Sequence, residues 1–500
     1  MSYITKQCFF EVQQQTAVTQ LSLLLLQINP KERTMSLLDK IQPVSWDLDL
    51  IKRHDVAGPR YTSYPTALQF SGSLDASAFI ESAKQSLDNK QPLSLYFHIP
   101  FCAHVCYYCA CNKVITRNRD RSQPYLETLY REMQFMSDHF STDRVVNQLH
   151  WGGGTPTFLS DLQITQLMDK TRQLFNLRDD DAGDYSIEID PRECSDKTLA
   201  VLRKAGFNRI SLGVQDVQEK VQKAVNRVQS TEQTAHLIAL AKEEGMKSIN
   251  IDLIYGLPHQ TVESFGDTLA QVIAMSPDRL SIFNYAHMPD RFRSQRHIND
   301  QDLPTPAQKL DIQQQTISTL SAAGYVYIGM DHFAKPTDEL SLAQSSGQLH
   351  RNFQGYTTHS DCDLIAMGVS AISQIGDLYY QNSHDLAIYT DLVEQQHTAI
   401  IRGVSLSRDD KIRRDLITQL ICHFSLDTQA FAVKHQIDFA QYFATELQNL
   451  QKLAIDKLIT LEPGNIQITP QGRILVRRIC MVFDAYMPKD KLQQTFSRII

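Results

Sequence analysis

Three cysteines, Cys102, Cys106 and Cys109, stand in the order C-x3-C-x2-C directly behind the apolar run 93–99, with Cys111 and Asn112 just beyond. Thiolates crowded this closely bind metal or exchange electrons. Taken alone, the loop fits three chemistries. Cys106-Tyr-Tyr-Cys109 has the spacing of a redox dithiol pair. Cys102, Cys106, Cys109 and Cys111, with His98 and His104 nearby, have the ligand types of a zinc site. The third is a 4Fe-4S cluster, in which each iron normally takes one thiolate. A clip of three cysteines leaves one iron open to another ligand, and this spacing differs from the four-cysteine ferredoxin run.

Other residues along the chain could serve such a centre. Gly152-Gly-Gly154 follows a second apolar run, and three glycines let a ligand approach the backbone closely because no Cβ intervenes. A phosphate loop is the rival, but no lysine occupies the Walker position and no G-x-G-x-x-G is present. A plain tight turn is the simpler alternative. Glu188 and Asp190 lie two apart on one strand and so share a face. That is the arrangement of a general acid/base pair or of a site for a ribose or an amino group. Asp252, in 250–256, is similarly placed; its alternative is an ordinary strand-end hydrogen bond.

The elements that must hold these groups alternate. Short apolar runs at 93–98, 147–151, 185–190, 208–214, 248–253 and 279–285 read as strands, with a further one at 325–330. Amphipathic segments such as 161–175, 233–244 and 305–322 lie among them, as a parallel sheet with crossover helices requires. Thr305, Pro306 and Gln308 form a helix start with a capping box. The cysteine loop, Gly152 to Thr155, Glu188 with Asp190, Gln215 with Asp216, Asp252, and Tyr285 to His287 all fall at the ends of successive strands. In a βα barrel the chemistry gathers at that C-terminal mouth. The fold expected is α/β: a six-unit (β/α) barrel, followed from about residue 405 by a mainly helical, winged-helix-like module. A wing-like shape does not by itself imply DNA binding. Arg473, Arg477 and Arg478 read as a solvated helix face.

With 500 residues and 49 basic against 56 acidic side chains, the chain is long enough for two or three domains, and its mild acidity argues against a general nucleic-acid binder. Its nine cysteines do not form a disulfide framework, which points to a reducing cytoplasm. Cys194, Cys362, Cys422 and Cys480 read as core residues. The apolar run 21–26 is far short of the roughly 20 residues of a membrane span and lacks the flanks of a signal peptide. Met35 begins the segment leading into the domain and is read as the native start. The organisation expected is a variable extension over 1–44, a lid or substrate segment over 45–90, the barrel over 91–400 and the helical domain over 401–500.

The cysteine clip resembles that of the radical S-adenosylmethionine superfamily, whose open iron holds S-adenosylmethionine, and the resemblance implies that the expected α/β fold is an open six-unit (β/α) barrel closed only about three-quarters of the way. From about residue 45 to the end, the segments Pro59 to Thr66, His98 to Cys102, Cys111 to Lys113, Trp151 to Pro156, Asn250 to Pro258, Phe283 to His287 and His350 to Thr357 resemble the oxygen-independent coproporphyrinogen III oxidases. Two departures are Tyr108, where phenylalanine is often found, and Ala110, where glycine is common. Alanine is strained there only if the backbone needs positive φ.

The resemblance implies that Cys102, Cys106 and Cys109 ligate a 4Fe-4S cluster and that two S-adenosylmethionine molecules bind nearby. Tyr96, Gly153, Glu188 and Ile372 match positions around the molecule on the iron. Tyr108, Gly154, Thr155, Gln215, Arg227, Asp252 and Ala286 match those around the second. The implied reaction is oxidative decarboxylation of two propionates of coproporphyrinogen III to vinyl groups, giving protoporphyrinogen IX. A 5'-deoxyadenosyl radical abstracts hydrogen from the propionate β-carbon. Cys111 is expected to serve catalysis in the substrate-facing loop; the alternative is a small buried residue. The partners implied are coproporphyrinogen III and an electron donor such as a flavodoxin or ferredoxin, with no membrane or nucleic acid, and the protein is expected to be a monomer. Four carboxylates need cations, and Arg60, then Arg351, are the first candidates. The related haem chaperones, the main rival, generally lack a cysteine equivalent to Cys111 and the segment from Pro59 to Thr66. A transcription factor built on the C-terminal module is a third class.

Overall fold

The computed structural model describes residues 44–487 apart from 73, 75, 141 and 142, together with 496, 498 and 499. The expectations for the first 43 residues, including a start at Met35, lie outside the described residues. Six strands, β1 (Leu93–Ile99), β2 (Val145–Gly153), β3 (Asp184–Ile189), β4 (Arg209–Gln215), β5 (Ser248–Tyr255) and β6 (Arg279–Asn284), lie side by side in chain order. Every neighbouring pair among them is parallel. A parallel step needs a crossover, and helices Ser122–His139, Asp161–Leu174, Asp196–Ala205, Thr231–Glu243 and Val262–Met275 supply them, with Pro306–Ala322 after β6. Side chains of Ser160, Ser195, Ser230, Thr261 and Thr305 cap five of these helices, and Thr305 with Gln308 closes the expected capping box.

The strands explain why the barrel can carry a site. Along β4 and β5, buried Ile210, Leu212, Ile249 and Ile251 alternate with half-buried Ser211, Gly213, Asn250 and Asp252. The period of two sends one set outward under the helices and the other inward. A parallel sheet covered on both faces usually reads as continuous apolar sequence; here the inner face is polar because it lines cavities.

The sheet does not close. Beyond β6 it continues through His332–Ala334 to Val326–Gly329, both antiparallel steps. Beyond β1 it continues through Asp363–Met367, parallel to β1, and then antiparallel through Ile372–Ile375, Leu378–Asn382 and Ile400–Ser405. This second extension was not foreseen. The C-terminal module has the expected mixed character: helices Arg408–His423, Thr428–His435, Phe439–Tyr442 and Ala444–Ile455 accompany a three-stranded antiparallel sheet of Ser425–Asp427, Asn465–Ile468 and Ile459–Glu462.

One expectation is corrected. Arg473 and Arg477 do not form a solvated face: they are 6 % and 3 % exposed. Arg477 donates from Nε to the Pro59 carbonyl at 2.8 Å and also to the Gly58 carbonyl, and Arg473 lies 4.5 Å over the Phe424 ring. The charge is kept in the interior because the strap formed by residues 58–66 offers it carbonyl acceptors. Tyr61 and Tyr64 of that strap are buried; Tyr61 donates to Asp484 Oδ2 at 3.0 Å, and Tyr64 Oη accepts from the Ala485 N–H at 3.0 Å.

Candidate functional site

The cysteine loop is held by its backbone, which leaves the thiols for other work. Val114 N–H and Thr116 N–H donate to the carbonyls of Pro100 and Cys102 at 2.7 and 2.9 Å, so Phe101–Cys102 and Val114–Ile115 form a small parallel pair. Lys113 Nζ and Ser294 Oγ both donate to the Cys109 carbonyl, at 2.9 and 3.1 Å, and Gln295 Nε2 donates to that of Tyr108 at 3.0 Å. Ala110 is not among the non-glycine residues with positive φ, so alanine costs nothing there.

The thiols of Cys102, Cys106, Cys109 and Cys111 share the wall of a cavity of about 260 Å³. Among the described residues, the set of three or more metal-ligating atoms lying within 4.8 Å of one another is His359, Asp361 and Cys362, and no trio from the cysteine loop meets that limit. Around one zinc at about 2.3 Å, tetrahedral sulfurs would sit roughly 3.8 Å apart. The wider spread suits a polynuclear cluster, whose ligands attach to different irons. All described cysteines are free. Cys106 also accepts hydrogen bonds from Arg227 Nη1 at 3.3 Å and Arg192 Nη2 at 3.6 Å, and the Cys102 sulfur lies 3.6 Å from Thr155 Oγ1. Donors aimed at the sulfurs favour a negatively charged centre.

The glycine run is built for close approach. A Cβ on Gly152 would lie 2.9 Å from the Glu188 carboxyl carbon, one on Gly154 would lie 2.7 Å from the Pro100 and Phe101 carbonyls, and Gly153 has φ +111° with His98 only 2.5 Å from any Cβ. The space is used by backbone: Gly153 N–H donates to Glu188 Oε2 at 3.0 Å. Burial presses the Glu188 carboxyl up, yet hydrogen bonds from His150 and Gly153, with the His150 and His98 rings, hold it below its ordinary range. Its side chain is 44 % open, and that opening faces cavities.

Glu188 joins two cavities. On the far side from the cysteines, about 230 Å³ is lined by Tyr96, His98, His150, Phe353, Gln354 and Ile372, among others. Tyr96 stacks on His150 with ring centroids 5.8 Å apart, and its hydroxyl meets His98 Nδ1 at 3.2 Å. On the near side, Tyr108, Gly153, Gly154, Thr155, Gln215, Arg227 and Asp252 line the thiol cavity. The expected site residues thus line two cavities, although Gly153, expected with Tyr96 and Ile372, lies on the thiol side, and one residue lies on neither. Ala286 lines neither cavity; its carbonyl accepts from Gln295 Nε2 at 3.2 Å.

The charges of the near cavity are arranged, not loose. Asp190 takes Arg227 Nη1 at 2.9 Å and Arg192 Nη2 at 2.7 Å, and these cations hold it below the usual carboxylate range against its burial. That pairing removes Asp190 from any acid/base couple with Glu188. Arg227 is 6 % exposed and its Nε has no partner, an orphaned donor in the cavity wall that fits a polar ligand. Asp252 accepts from Ser211 Oγ and Asn250 Nδ2, each at 2.8 Å. Burial pushes its carboxyl up to about 6, and Glu188 adds to the shift. Gln215 ends β4 at φ +70°, beside a register irregularity. Cys111 is exposed on the cavity rim, beside Asn112, whose carbonyl accepts from His98 Nε2 at 3.0 Å.

His150, Phe353 and Gln354 were not singled out from the sequence as site residues, and His98 was named only beside a possible zinc site. The signal for His150 was a polar residue on the inward phase of a buried strand. Phe353 and Gln354 form the turn of a hairpin, His350–Asn352 with Gly355–Thr357, that brings Arg351 against the Tyr356 ring at 4.7 Å. Arg351 is 7 % exposed, and its Nε and Nη1 have no partner. Arg60 already has one, an ion pair with Asp331. A larger groove of about 560 Å³ lies in the C-terminal module, between Phe439, Leu447 and Ile466, away from these groups.

Comparison with known proteins agrees with this geometry. The radical SAM superfamily profile matches residues 96–272, and that of the HemN C-terminal domain matches 406–475. The chain is 55 % identical over 460 residues to an oxygen-independent coproporphyrinogen III oxidase of Pseudomonas aeruginosa, covering 92 % of this chain and 100 % of the relative. It is 51 % identical over 460 residues, with the same coverage, to the enzyme of that name from Escherichia coli. The solved structure of coproporphyrinogen III oxidase from Escherichia coli, described as a radical SAM enzyme, superposes with a TM-score of 0.85 at 51 % identity, covering 89 % of this chain and 100 % of that one.

Proposed function

The chain belongs to the oxygen-independent coproporphyrinogen III oxidases of the radical SAM superfamily, and on that premise we propose how its residues turn two propionates of coproporphyrinogen III into the vinyl groups of protoporphyrinogen IX. The observation that carries the assignment of roles is the pair of cavities meeting at Glu188, one walled by the four cysteines of the loop and the other by none. When bound, a 4Fe-4S cluster and S-adenosylmethionine supply a carbon-centred radical that removes hydrogen from the propionate β-carbon. The residues do the rest.

Cys102, Cys106 and Cys109 hold the cluster, and Arg227 and Arg192 direct their N–H groups at the Cys106 sulfur. Glu188, kept ionised, takes the amino group of a first S-adenosylmethionine beside Gly153, Tyr96 and Ile372. A second molecule is assigned to Tyr108, Gly154, Thr155, Gln215, Arg227 and Asp252, with the Ala286 backbone behind them. No strong acid or base is required, so the chain works by positioning and by keeping water and oxygen out.

The propionates need buried cations. Arg351 is the better candidate of the two named above, because its N–H groups are unclaimed whereas Arg60 is bound to Asp331. A one-electron carrier such as a flavodoxin or ferredoxin serves as reductant. Action as a monomer belongs to the same reading, and the free thiols suit the cytoplasm. Among the described residues no helix is long and apolar enough to cross a membrane. The test is anaerobic reconstitution with iron and sulfide, a chemical reductant and coproporphyrinogen III, followed by product chromatography. A monovinyl intermediate and then protoporphyrinogen IX are expected. Tight stoichiometric haem binding without decarboxylated product would favour a chaperone instead.

A further inference from the structure

Two stretches flank the cysteine loop, 113–121 and 287–297, and together they carry seven Lys or Arg against two Asp, in a chain whose net charge is −7. Both are tied to cluster ligands. Thr116 N–H donates to the Cys102 carbonyl at 2.9 Å, and Ser294 Oγ donates to that of Cys109 at 3.1 Å. Arg117, Arg121, Arg291, Arg293 and Arg296 are exposed. Among the described residues none of them has an ion-pair partner, whereas Arg119 in the same stretch is claimed by Glu193 at 2.6 Å. In the first of these stretches Ile115 is an apolar side chain 41 % exposed, one residue from the Cys102 hydrogen bond.

Five guanidinium groups without an ion-pair partner among the described residues lie on stretches tied to this loop in an acidic protein, and their mutual repulsion disfavours the isolated state. They complement a negatively charged partner. A charged rim around a small apolar centre is the form of a transient electron-transfer contact, which is small and steered by long-range charge. We propose that this surface docks an acidic one-electron carrier protein beside the cysteine loop. The proposal rests on the reading above that Cys102, Cys106 and Cys109 hold a redox cluster. Each encounter hands over one electron, leaving the carrier oxidised by one electron and the loop's redox group reduced by one.

The test separates docking from catalysis. Binding of an oxidised acidic flavodoxin is titrated by calorimetry at low and at high salt against the wild-type protein, against Arg117→Glu/Arg121→Glu/Arg291→Glu/Arg293→Glu, and against the same four positions changed to Gln. Wild-type affinity should fall as salt rises, the Gln protein should bind more weakly, and the Glu protein at least about tenfold more weakly. With a small chemical reductant, which needs no docking, all three proteins should turn over substrate equally. Equal flavodoxin affinity in the wild-type and Glu proteins would overturn the proposal, as would salt-sensitive binding of random duplex DNA with none of flavodoxin. Absence of turnover with the chemical reductant, alongside intact charge-dependent docking, would count against the oxidase reading and leave the surface standing.

Discussion

Asp252 offers a prediction in which stability and function move in opposite directions. Its carboxyl is raised from the ordinary 3.8 to about 6, chiefly by burial, with the Glu188 charge adding to it. A raised carboxyl stabilises the fold fully below the unfolded value; that contribution is lost as pH climbs through the folded value. The window therefore runs from about pH 3.8 to somewhat above 6, and the shift of roughly two units corresponds to about 3 kcal/mol lost by neutral pH. Asp252→Asn keeps a neutral acceptor for Ser211 and Asn250 and removes the titration. The variant should be more stable than the wild type at pH 8, by up to about 3 kcal/mol, and this advantage should shrink by about 1–1.5 kcal/mol on going to pH 5. Urea unfolding of the cluster-free protein, followed by fluorescence of Trp151 on β2, reads the difference directly. The same variant should bind S-adenosylmethionine more weakly, since a carboxylate retained against its own desolvation cost is held there for a ligand. Destabilisation at pH 8, or a stability difference that does not change with pH, would refute the reasoning.

Three further outcomes follow from the site. Serine at Cys102, Cys106 or Cys109 should remove most bound iron and abolish cleavage of S-adenosylmethionine, as measured by iron analysis and chromatography; a full, active cluster in any of the three would break the assignment. Cys111→Ser should keep iron content and S-adenosylmethionine binding but lose most conversion of coproporphyrinogen III, because this exposed cysteine sits on the rim beside Asn112, outside the clip of three. Arg351→Gln should raise the KM for coproporphyrinogen III by about tenfold or more, the scale of one charge-assisted hydrogen bond, and leave affinity for S-adenosylmethionine unchanged; an unaltered KM would send the propionates elsewhere.

Much of this was legible along the chain. The alternation of Ile210, Leu212, Ile249 and Ile251 with Ser211, Gly213, Asn250 and Asp252 is local, and strand periodicity turns it directly into an inner polar face. The cysteine spacing is local too, because one loop supplies all three thiols. The partner of Arg477 was not legible. Its carbonyl acceptors lie at Gly58 and Pro59, more than four hundred residues earlier, and a helix with three arginines looks solvated until that strap is in place. The same holds for His150, Phe353 and Gln354, which meet only because a hairpin and the strands from 363 to 405 extend the sheet past β1.

The sequence by itself narrowed the thiol loop to three chemistries and determined which ends of its strands face the site, since thiol spacing and side-chain phase are properties of neighbouring residues. Tertiary structure alone decided that Asp190 is locked by Arg227 and Arg192 while Glu188, held by Gly153 and His150, faces two cavities, that Asp252 is raised to about 6, and that Arg60 is ion-paired while Nε and Nη1 of Arg351 have no partner. Charge, burial and hydrogen-bond supply depend on which distant segments are packed together, and no local spacing encodes them.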